Sequence, residues 1–296
     1  MDKKLLLIDG SSYLYRAYYA LPPLTAPDGT PTGAIYGFVR MLLKLLSTFN
    51  TPYIAVVFDR PEKTVRHEIY KEYKATRKET PNDLQIQIPK IKEIINLLGI
   101  KILEIPGYEA DDIIATIAKK AENQNFEVII VTPDKDMNQL IDEKIKIYNP
   151  IKDEIVDTQK IVEKYGIKPN QFIDYLVLVG DSIDNIPGVK GVGPKTATTL
   201  LQEYGTVDNI LENKDKLKGK IKESFQTITK EDIQLLKSLV KLHKIDLELD
   251  LESLKKEKPD LIKLKEIFEK LGFKSLIKEI DKPNLDKKQV MQKSLF

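Results

Sequence analysis

Acidic residues recur where short apolar runs end. Asp9 follows Leu5-Leu6-Leu7-Ile8, Asp59 follows Ile54-Ala55-Val56-Val57-Phe58, and Asp134 and Asp136 follow Val128–Thr132 and Pro133. Runs of this length suit strands buried on both faces of a parallel sheet. Sites in open parallel sheets lie beyond the carboxyl ends of the strands, so these side chains are expected to converge on one edge. Glu109, Asp111 and Asp112 open a helical pattern at Ala110, and Asp181 and Asp184 stand three apart before Asn185-Ile186-Pro187-Gly188. Any one of these acids reads equally well as a helix cap or a turn residue. Five groups on one edge exceed that need. Nine carboxylates crowded together would repel one another and take up protons. Two magnesium ions would offset that charge, some acids binding through water because magnesium keeps part of its hydration shell. Paired ions about 4 Å apart stabilise the attacking and leaving oxygens of phosphodiester hydrolysis.

Cationic residues cluster close to these acids. Arg66, Lys71, Lys74, Arg77 and Lys78 fall within Thr64–Lys78. Lys71, Lys74 and Lys78 have the spacing of one helical face; Arg66, Tyr70, Tyr73 and Arg77 have that of a second, mixing guanidinium with aromatic rings. Charge combined with stacking is how single-stranded nucleic acid is held. The interspersed Glu68, Glu72 and Glu79 equally allow a solvated amphipathic helix. A second segment, Ile186-Pro187-Gly188-Val189-Lys190-Gly191-Val192-Gly193-Pro194-Lys195-Thr196-Ala197, has glycines for a tight hairpin and a proline suited to a first helical turn. Free N–H groups there, with Lys190 and Lys195, would grip a duplex backbone without reading sequence. The bland alternative is a glycine-rich turn between helices. No strand precedes the segment, so it is neither a phosphate-binding P-loop nor a dinucleotide fingerprint.

The elements that must position these residues alternate in the first half. Strand patterns at Lys4–Ile8, Tyr53–Phe58, Lys101–Ile105 and Val128–Thr132 are separated by helical patterns at Gly33–Phe49, Gln85–Leu98 and Ala110–Glu122. That order predicts a parallel sheet covered by helices. After about Ile167 the patterns are helical, at Asn170–Val179, Thr196–Glu203, Lys214–Phe225, Lys230–Leu242 and Leu261–Leu271. Three regions are expected: an α/β core over 1–168 with an arch at about 64–90, a helical region over 169–280, and a flexible tail over 281–296.

Composition narrows the chemistry. The 296 residues include no cysteine and two histidines, His67 and His243, which removes thiol catalysis and disfavours histidine-rich zinc sites. The net charge of +2 does not by itself mark a nucleic-acid binder, because an acidic site and basic surfaces would cancel. No stretch approaches the ~20 apolar residues of a membrane span, and the N-terminus lacks signal-peptide features; a cytoplasmic protein is expected.

The ordered set Ile8-Asp9-Gly10, Phe58-Asp59, Gly107-Tyr108-Glu109-Ala110-Asp111-Asp112, Thr132-Pro133-Asp134-Lys135-Asp136 and Gly180-Asp181-Ser182-Ile183-Asp184-Asn185-Ile186-Pro187-Gly188-Val189 resembles the 5′-3′ exonuclease domain of bacterial DNA polymerase I, of the flap endonuclease superfamily. The match runs in order from about Lys3 to Ile280. The resemblance implies a PIN-like parallel sheet flanked by helices, a helical arch, and a helical region containing a helix–hairpin–helix. It implies a structure-specific 5′-3′ exonuclease and 5′-flap endonuclease acting in replication and repair with two Mg²⁺, for which Mn²⁺ can substitute. Asp9, Asp59, Glu109, Asp111 and Asp112 would serve a first metal, and Asp134, Asp136, Asp181 and Asp184 a second. Tyr73, Lys74 and Arg77 match the arch, with Lys74 and Arg77 at the scissile phosphate; Arg16 matches a basic residue near the same place. Arg66, Lys71 and Lys78, with Gly188, Lys190, Gly191, Gly193, Lys195 and Thr196, would contact DNA, and the hairpin carbonyls would take a K⁺. Expected partners are branched or nicked duplexes, 5′ flaps and RNA–DNA primer junctions, bound by a monomer.

Two other readings compete. A PIN-type ribonuclease shares the acidic edge but generally lacks the arch and glycine hairpin. A non-catalytic branched-DNA binder would lack an acidic group, and none is missing. In DNA polymerase I a polymerase follows this domain, whereas this sequence ends at Phe296, so the chain is expected to be a stand-alone nuclease or a truncated polymerase. Gln292-Lys293-Ser294-Leu295-Phe296 resembles the short motif by which bacterial replication proteins dock on the sliding clamp, with Gln292, Leu295 and Phe296 as anchors. Chance is the alternative for so short a motif. Deleting Gln292–Phe296 is expected to abolish capture of the chain by a bacterial sliding clamp in a pull-down; unchanged capture would refute the assignment.

Overall fold

Leu5 to Ile8 and Val128, Ile130 and Val131 are wholly removed from solvent, as fits strands covered on both faces. In the computed structural model, which describes residues 3–281, the main strands are β1 (Lys3–Asp9), β2 (Tyr53–Val57), β3 (Lys101–Leu103), β4 (Phe126–Val131), β5 (Ile145–Asn149) and β6 (Glu154–Val156). The residues Gln292–Phe296 lie outside those described. The chain divides into two compact units. One comprises the stretch through Ser12 with Val57–Glu79 and Leu103–Leu249; the other comprises Tyr13–Val56, Thr80–Ile102 and the stretch from Asp250 onward.

In the first unit β1 pairs in parallel with β4, Leu5 opposite Val128 and Ile8 opposite Val131. β4 pairs in parallel with β5, Val128 opposite Ile145. Parallel pairing sends β1 and β4 out at the same end, which places Asp9 beside the Thr132–Asp136 turn. β6 runs antiparallel to β5; the sequence patterns did not reveal either strand. The helix Ala110–Asn123 buries Ile113, Ile114 and Ile117 and packs against β1 and β4. Its first turn carries the acids: Glu109 is the N-cap, and its side chain and that of Asp112 accept reciprocally from backbone N–H groups. This arrangement satisfies donors that a helix start leaves free.

Helices at Thr158–Tyr165, Phe172–Val179, Pro194–Tyr204, Val207–Glu212, Gly219–Thr227 and Lys230–Val240 follow. The expected helix at Lys214–Phe225 is instead a 3₁₀ turn, Lys214–Lys216, and a helix starting at Gly219, with Leu217 and Lys218 extended between them. Phe172–Val179 ends at Gly180, where φ is +74°. Gly180 and Asp181 then form a two-stranded ribbon with Ile186 and Pro187. A Cβ on Gly180 would lie 2.3 Å from the Gly188 nitrogen, and one on Gly188 2.4 Å from the Val179 carbonyl carbon. Gly188, expected to contact DNA, also lets the ribbon close behind Asp181 by its lack of a side chain.

In the second unit the helix Gly33–Phe49 has the bounds its sequence pattern predicts. The pattern at Gln85–Leu98 splits into Asn82–Gln85 and Ile88–Leu97, the second with Pro89 in its first turn, where a missing N–H costs nothing. Ile54 to Val56, Ile91, Ile94, Ile95, Leu264 and Phe268 are buried in its core. Among the described residues no helix is long and apolar enough to cross a membrane. Gly180→Ala or Gly188→Ala is expected to cost about 2–4 kcal/mol of stability in urea unfolding, from overpacking against backbone and, at Gly180, a positive φ. Wild-type stability in both variants would contradict the close approach.

Candidate active site

All nine predicted acids lie in the first unit. Asp9 is buried at the end of β1 and accepts from the Ser12 N–H at 2.9 Å and from the Thr132 hydroxyl at 2.8 Å. Asp59 accepts from the Ala110 N–H at 2.8 Å, and its own N–H donates to the Ser11 hydroxyl at 2.9 Å. Asp134 accepts from the Asp136 N–H at 2.9 Å, and Asp181 accepts from the Ile183 N–H at 2.7 Å. Ser11, Ser12 and Thr132 therefore orient the acids. The sequence offered little to single them out beyond their adjacency to Asp9 and Asp134.

The acids act on one another electrostatically. Burial, with repulsion from Asp59, pushes the Asp9 carboxyl up to about 6. Burial, with repulsion first from Asp134 and also from Asp181 and Asp184, pushes Asp136 up to about 7. Asp111 is raised well above the carboxylate range by burial and by Asp134, Asp9 and Asp59. Asp134 is raised by burial and by Asp184 and Asp181. These influences link the two expected clusters through Asp111 and Asp134.

Cations are drawn in. Lys74 donates to Glu109 at 2.7 Å and its ammonium lies 3.8 Å from Asp184. The buried Tyr73 hydroxyl donates to Glu109 at 3.0 Å and to Asp184 at 3.2 Å. Arg77 donates to Asp184 at 2.5 Å. Lys135 donates to Asp181 and also lies 3.8 Å from Asp136; its place in the site was missed, although it stands between two of the acids. Burial works against the charge on Glu109, yet Lys74 and Arg66 hold its carboxyl below the usual range. Asp181 is likewise held down by Lys135 against burial.

The segment carrying these cations is not the continuous helix its spacing suggested. Only Val65–Ile69 is helical. Tyr70 is extended, and Lys74 has φ +56°. The Lys74 N–H donates to the Asp184 carbonyl at 2.9 Å, and the Asn185 side chain donates to the Glu72 carbonyl at 2.7 Å. Turns aim Tyr73, Lys74 and Arg77 at the acids, a direction a straight helix would give to one face only. Lys71 and Lys78 stay exposed.

Two expectations change. Arg66 is 3% exposed and is not a surface DNA contact. Its guanidinium donates to Asp112 at 2.7 and 2.8 Å, to Glu109 at 3.3 Å, and to the Leu239 and Lys241 carbonyls at 2.9 and 3.0 Å. Those five bonds use all five of its donors. Asp112 in turn gives its oxygens to Arg66, to the His243 N–H at 2.7 Å and to the Glu109 N–H at 3.4 Å, which leaves it poorly placed as a metal ligand. Arg16 is half-buried on the helix Gly10–Ala20, its Nε without a partner. Lys190, Gly191, Gly193 and Lys195 are exposed before and at the start of the helix Pro194–Tyr204, and Thr196 is half-buried.

Oxygen donors dominate the site, which suits a hard divalent cation. Asp136 Oδ1 is buried without a hydrogen-bond partner, the kind of atom such an ion would satisfy. Among the described residues no three acids already converge as a ligand set; Glu109, Asp184 and Asp181 are paired instead with Lys74, Arg77 and Lys135. The donor set fits divalent metal, provided these cations give way.

Residues 4–166 match the family model of the 5′-3′ exonuclease N-terminal resolvase-like domain, and residues 167–261 that of the 5′-3′ exonuclease C-terminal SAM fold. The chain is 48% identical over 295 residues to a 5′-3′ exonuclease of Aquifex aeolicus, covering 99% of this chain and 100% of that one. It is 43% identical over 276 residues to thermostable DNA polymerase I of Thermus aquaticus, covering 93% of this chain but 33% of the polymerase. The fold is also that of T5 5′-exonuclease with bound zinc, at a TM-score of 0.67 and 24% identity over 80% of this chain and 89% of that one. The catalytic core of Rad2 in complex with DNA substrate aligns at 0.64 and 21% over 94% and 91%. The α/β sheet followed by a helical domain is thus a shared fold, and the chain belongs to the 5′-3′ exonuclease family, whose members are metal-dependent nucleases.

Proposed function

We propose that this chain removes nucleotides from 5′ ends and cleaves 5′ flaps at branched or nicked duplexes and RNA–DNA primer junctions. The observation that carries this reading is the crowding of acids around Asp111 and Asp134, with Asp136 Oδ1 left without a hydrogen-bond partner. Asp9, Asp59, Glu109 and Asp111 would hold one Mg²⁺ and Asp134, Asp136, Asp181 and Asp184 a second, with Mn²⁺ as a substitute. When bound, these ions supply charge neutralisation at the phosphodiester and a more acidic water.

The protein's own groups do the rest. An arriving phosphate competes with Glu109 and Asp184 for Lys74 and Arg77, and their release frees carboxylate oxygens as it fixes the scissile phosphate. Tyr73 holds Glu109 and Asp184 in place through the exchange. Ser12 and Thr132 keep Asp9 oriented. Exposed Lys71 and Lys78 bind the 5′ strand. Lys190, Lys195 and the free N–H groups at the start of the helix Pro194–Tyr204 hold the duplex, with Gly191 and Gly193 allowing close approach and a K⁺ on the hairpin carbonyls. Gln292, Leu295 and Phe296 would deliver a monomeric enzyme to the sliding clamp.

Asp134→Asn or Asp181→Asn is expected to lower Mg²⁺-dependent cleavage of a labelled 5′-flap substrate by at least 100-fold while flap binding changes less than threefold; full activity in either would sink the metal assignment. Charge crowding also sets a pH dependence in chelator. Asp9 and Asp136 hold protons at about 6 and 7 against an ordinary 3.8. Between about pH 4 and 7 the folded chain then binds the extra protons, so this contribution to stability grows as pH falls. His67, held below its ordinary value first by burial, opposes it. Urea unfolding in EDTA at pH 5.5 and 7.5 is expected to show a smaller acid-side gain in Asp136→Asn than in wild type. An equal or larger gain in the variant would contradict the crowding.

A further inference from the structure

The backbone after the helix Lys230–Val240 has no regular structure over residues 241–250, yet side chains from distant parts of the first unit take up its polar groups. Arg66 donates to the Leu239 and Lys241 carbonyls at 2.9 and 3.0 Å. Gln139 donates to the Val240 carbonyl at 3.0 Å and accepts from the Leu242 N–H at 3.1 Å. Asp112 accepts from the His243 N–H at 2.7 Å, and the Thr116 hydroxyl from the Ile245 N–H at 3.0 Å. Residues 239–245 thus form a strap, and two of its anchors, Arg66 and Gln139, have a second attachment. Arg66 also holds Glu109. Gln139 also donates to the Asp136 carbonyl at 2.9 Å. The helix leading into the strap packs on Phe172–Val179, the helix that ends at Gly180 and Asp181.

We infer that Arg66 and Gln139 are positioning residues, which use the 239–245 strap as a crosspiece to fix the spacing between the Glu109, Asp136 and Asp181 groups. Neither side chain reaches the reaction itself. The inference rests on the metal-dependent reading above. It assigns Asp112, spare as a ligand, the task of clamping Arg66. The chemistry of the anchors is specific. Arg66 uses a planar fork with five donors, whereas lysine has three donors on a single point and cannot bridge two acids and two carbonyls. Gln139 uses both donors and its acceptor, so leucine fills the volume and removes all three bonds. A loosened strap would leave the acids in place along the sequence but let their separation drift, and ligand groups tolerate little misplacement.

The test uses the full chain with Gln139→Leu, Gln139→Glu and Arg66→Lys, each checked for folding by circular dichroism at the assay temperature. Mn²⁺ binding is titrated by electron paramagnetic resonance without DNA, and cleavage of a 5′-flap substrate is followed in Mg²⁺. Gln139→Leu and Arg66→Lys are expected to weaken Mn²⁺ binding at least fivefold and to lower kcat at least tenfold, with KM within threefold of wild type. Gln139→Glu keeps the acceptor for Leu242 but turns an oxygen toward the Asp136 and Val240 carbonyls, so it is expected to lower kcat at least tenfold, as Gln139→Leu does. Wild-type Mn²⁺ affinity and kcat in the folded variants would overturn the inference, as would a lower melting temperature with both values unchanged. If Arg66→Lys does not fold, the two Gln139 variants decide. Wild-type protein that neither binds Mn²⁺ nor cleaves would instead overturn the underlying metal-dependent reading.

Discussion

The governing constraint is electrostatic. Several carboxylates are held at one edge where burial strips away the water that would let them ionise freely, and each raises the cost of charging the next. Asp111 shows the effect most strongly, repelled by Asp134, Asp9 and Asp59 at once. A fold can sustain such a cluster only by supplying donors and opposite charge from elsewhere. Backbone N–H groups of Ser12, Asp136 and Ile183 serve Asp9, Asp134 and Asp181 locally, and that of Ala110 serves Asp59 across 51 positions. Lys74, Arg77, Lys135 and Arg66 serve Glu109, Asp184, Asp181 and Asp112 from further along the chain.

The shape of the segment after Val65–Ile69 follows from that demand. A helix running on to Lys78 would spread Tyr73, Lys74 and Arg77 over an arc of about 100°. Turns with Lys74 at positive φ bring all three onto Glu109 and Asp184. The backbone conformation is unfavourable for a non-glycine residue, and the ion pairs at partly buried sites offset it. The same contacts explain how substrate could be sensed, because a phosphate that takes Lys74 and Arg77 also releases the acids.

Four strands, the helix Ala110–Asn123 and the mutual electrostatic influence of Asp9, Asp59, Asp111 and Asp134 were legible because each depends on local pattern and on the parallel sheet's fixed polarity. Gly33–Phe49 was legible for the same reason. What escaped depends on contacts made far along the sequence. β5 and β6 mix Lys and Asn with their apolar residues, so no continuous run marks them. Lys135 looked like a spacer between two acids, and its bond to Asp181 spans 46 positions.

Arg66 shows most clearly where charge periodicity stops being informative. Its sequence neighbourhood is the same as that of Lys71 and Lys78, and all three fall in a cationic segment, on two helical faces, that would bind nucleic acid. Burial separates them: Arg66 is enclosed, while the two lysines are exposed. Its bonding partners lie 43 to 175 positions away, beyond the reach of any window of helical spacing. An enclosed guanidinium would be costly if any donor were unmet. With two acids and two carbonyls around it, every donor is met. A residue that reads as a DNA contact thus belongs to the framework that holds the acids, and Asp112, which reads as a ligand, belongs there with it.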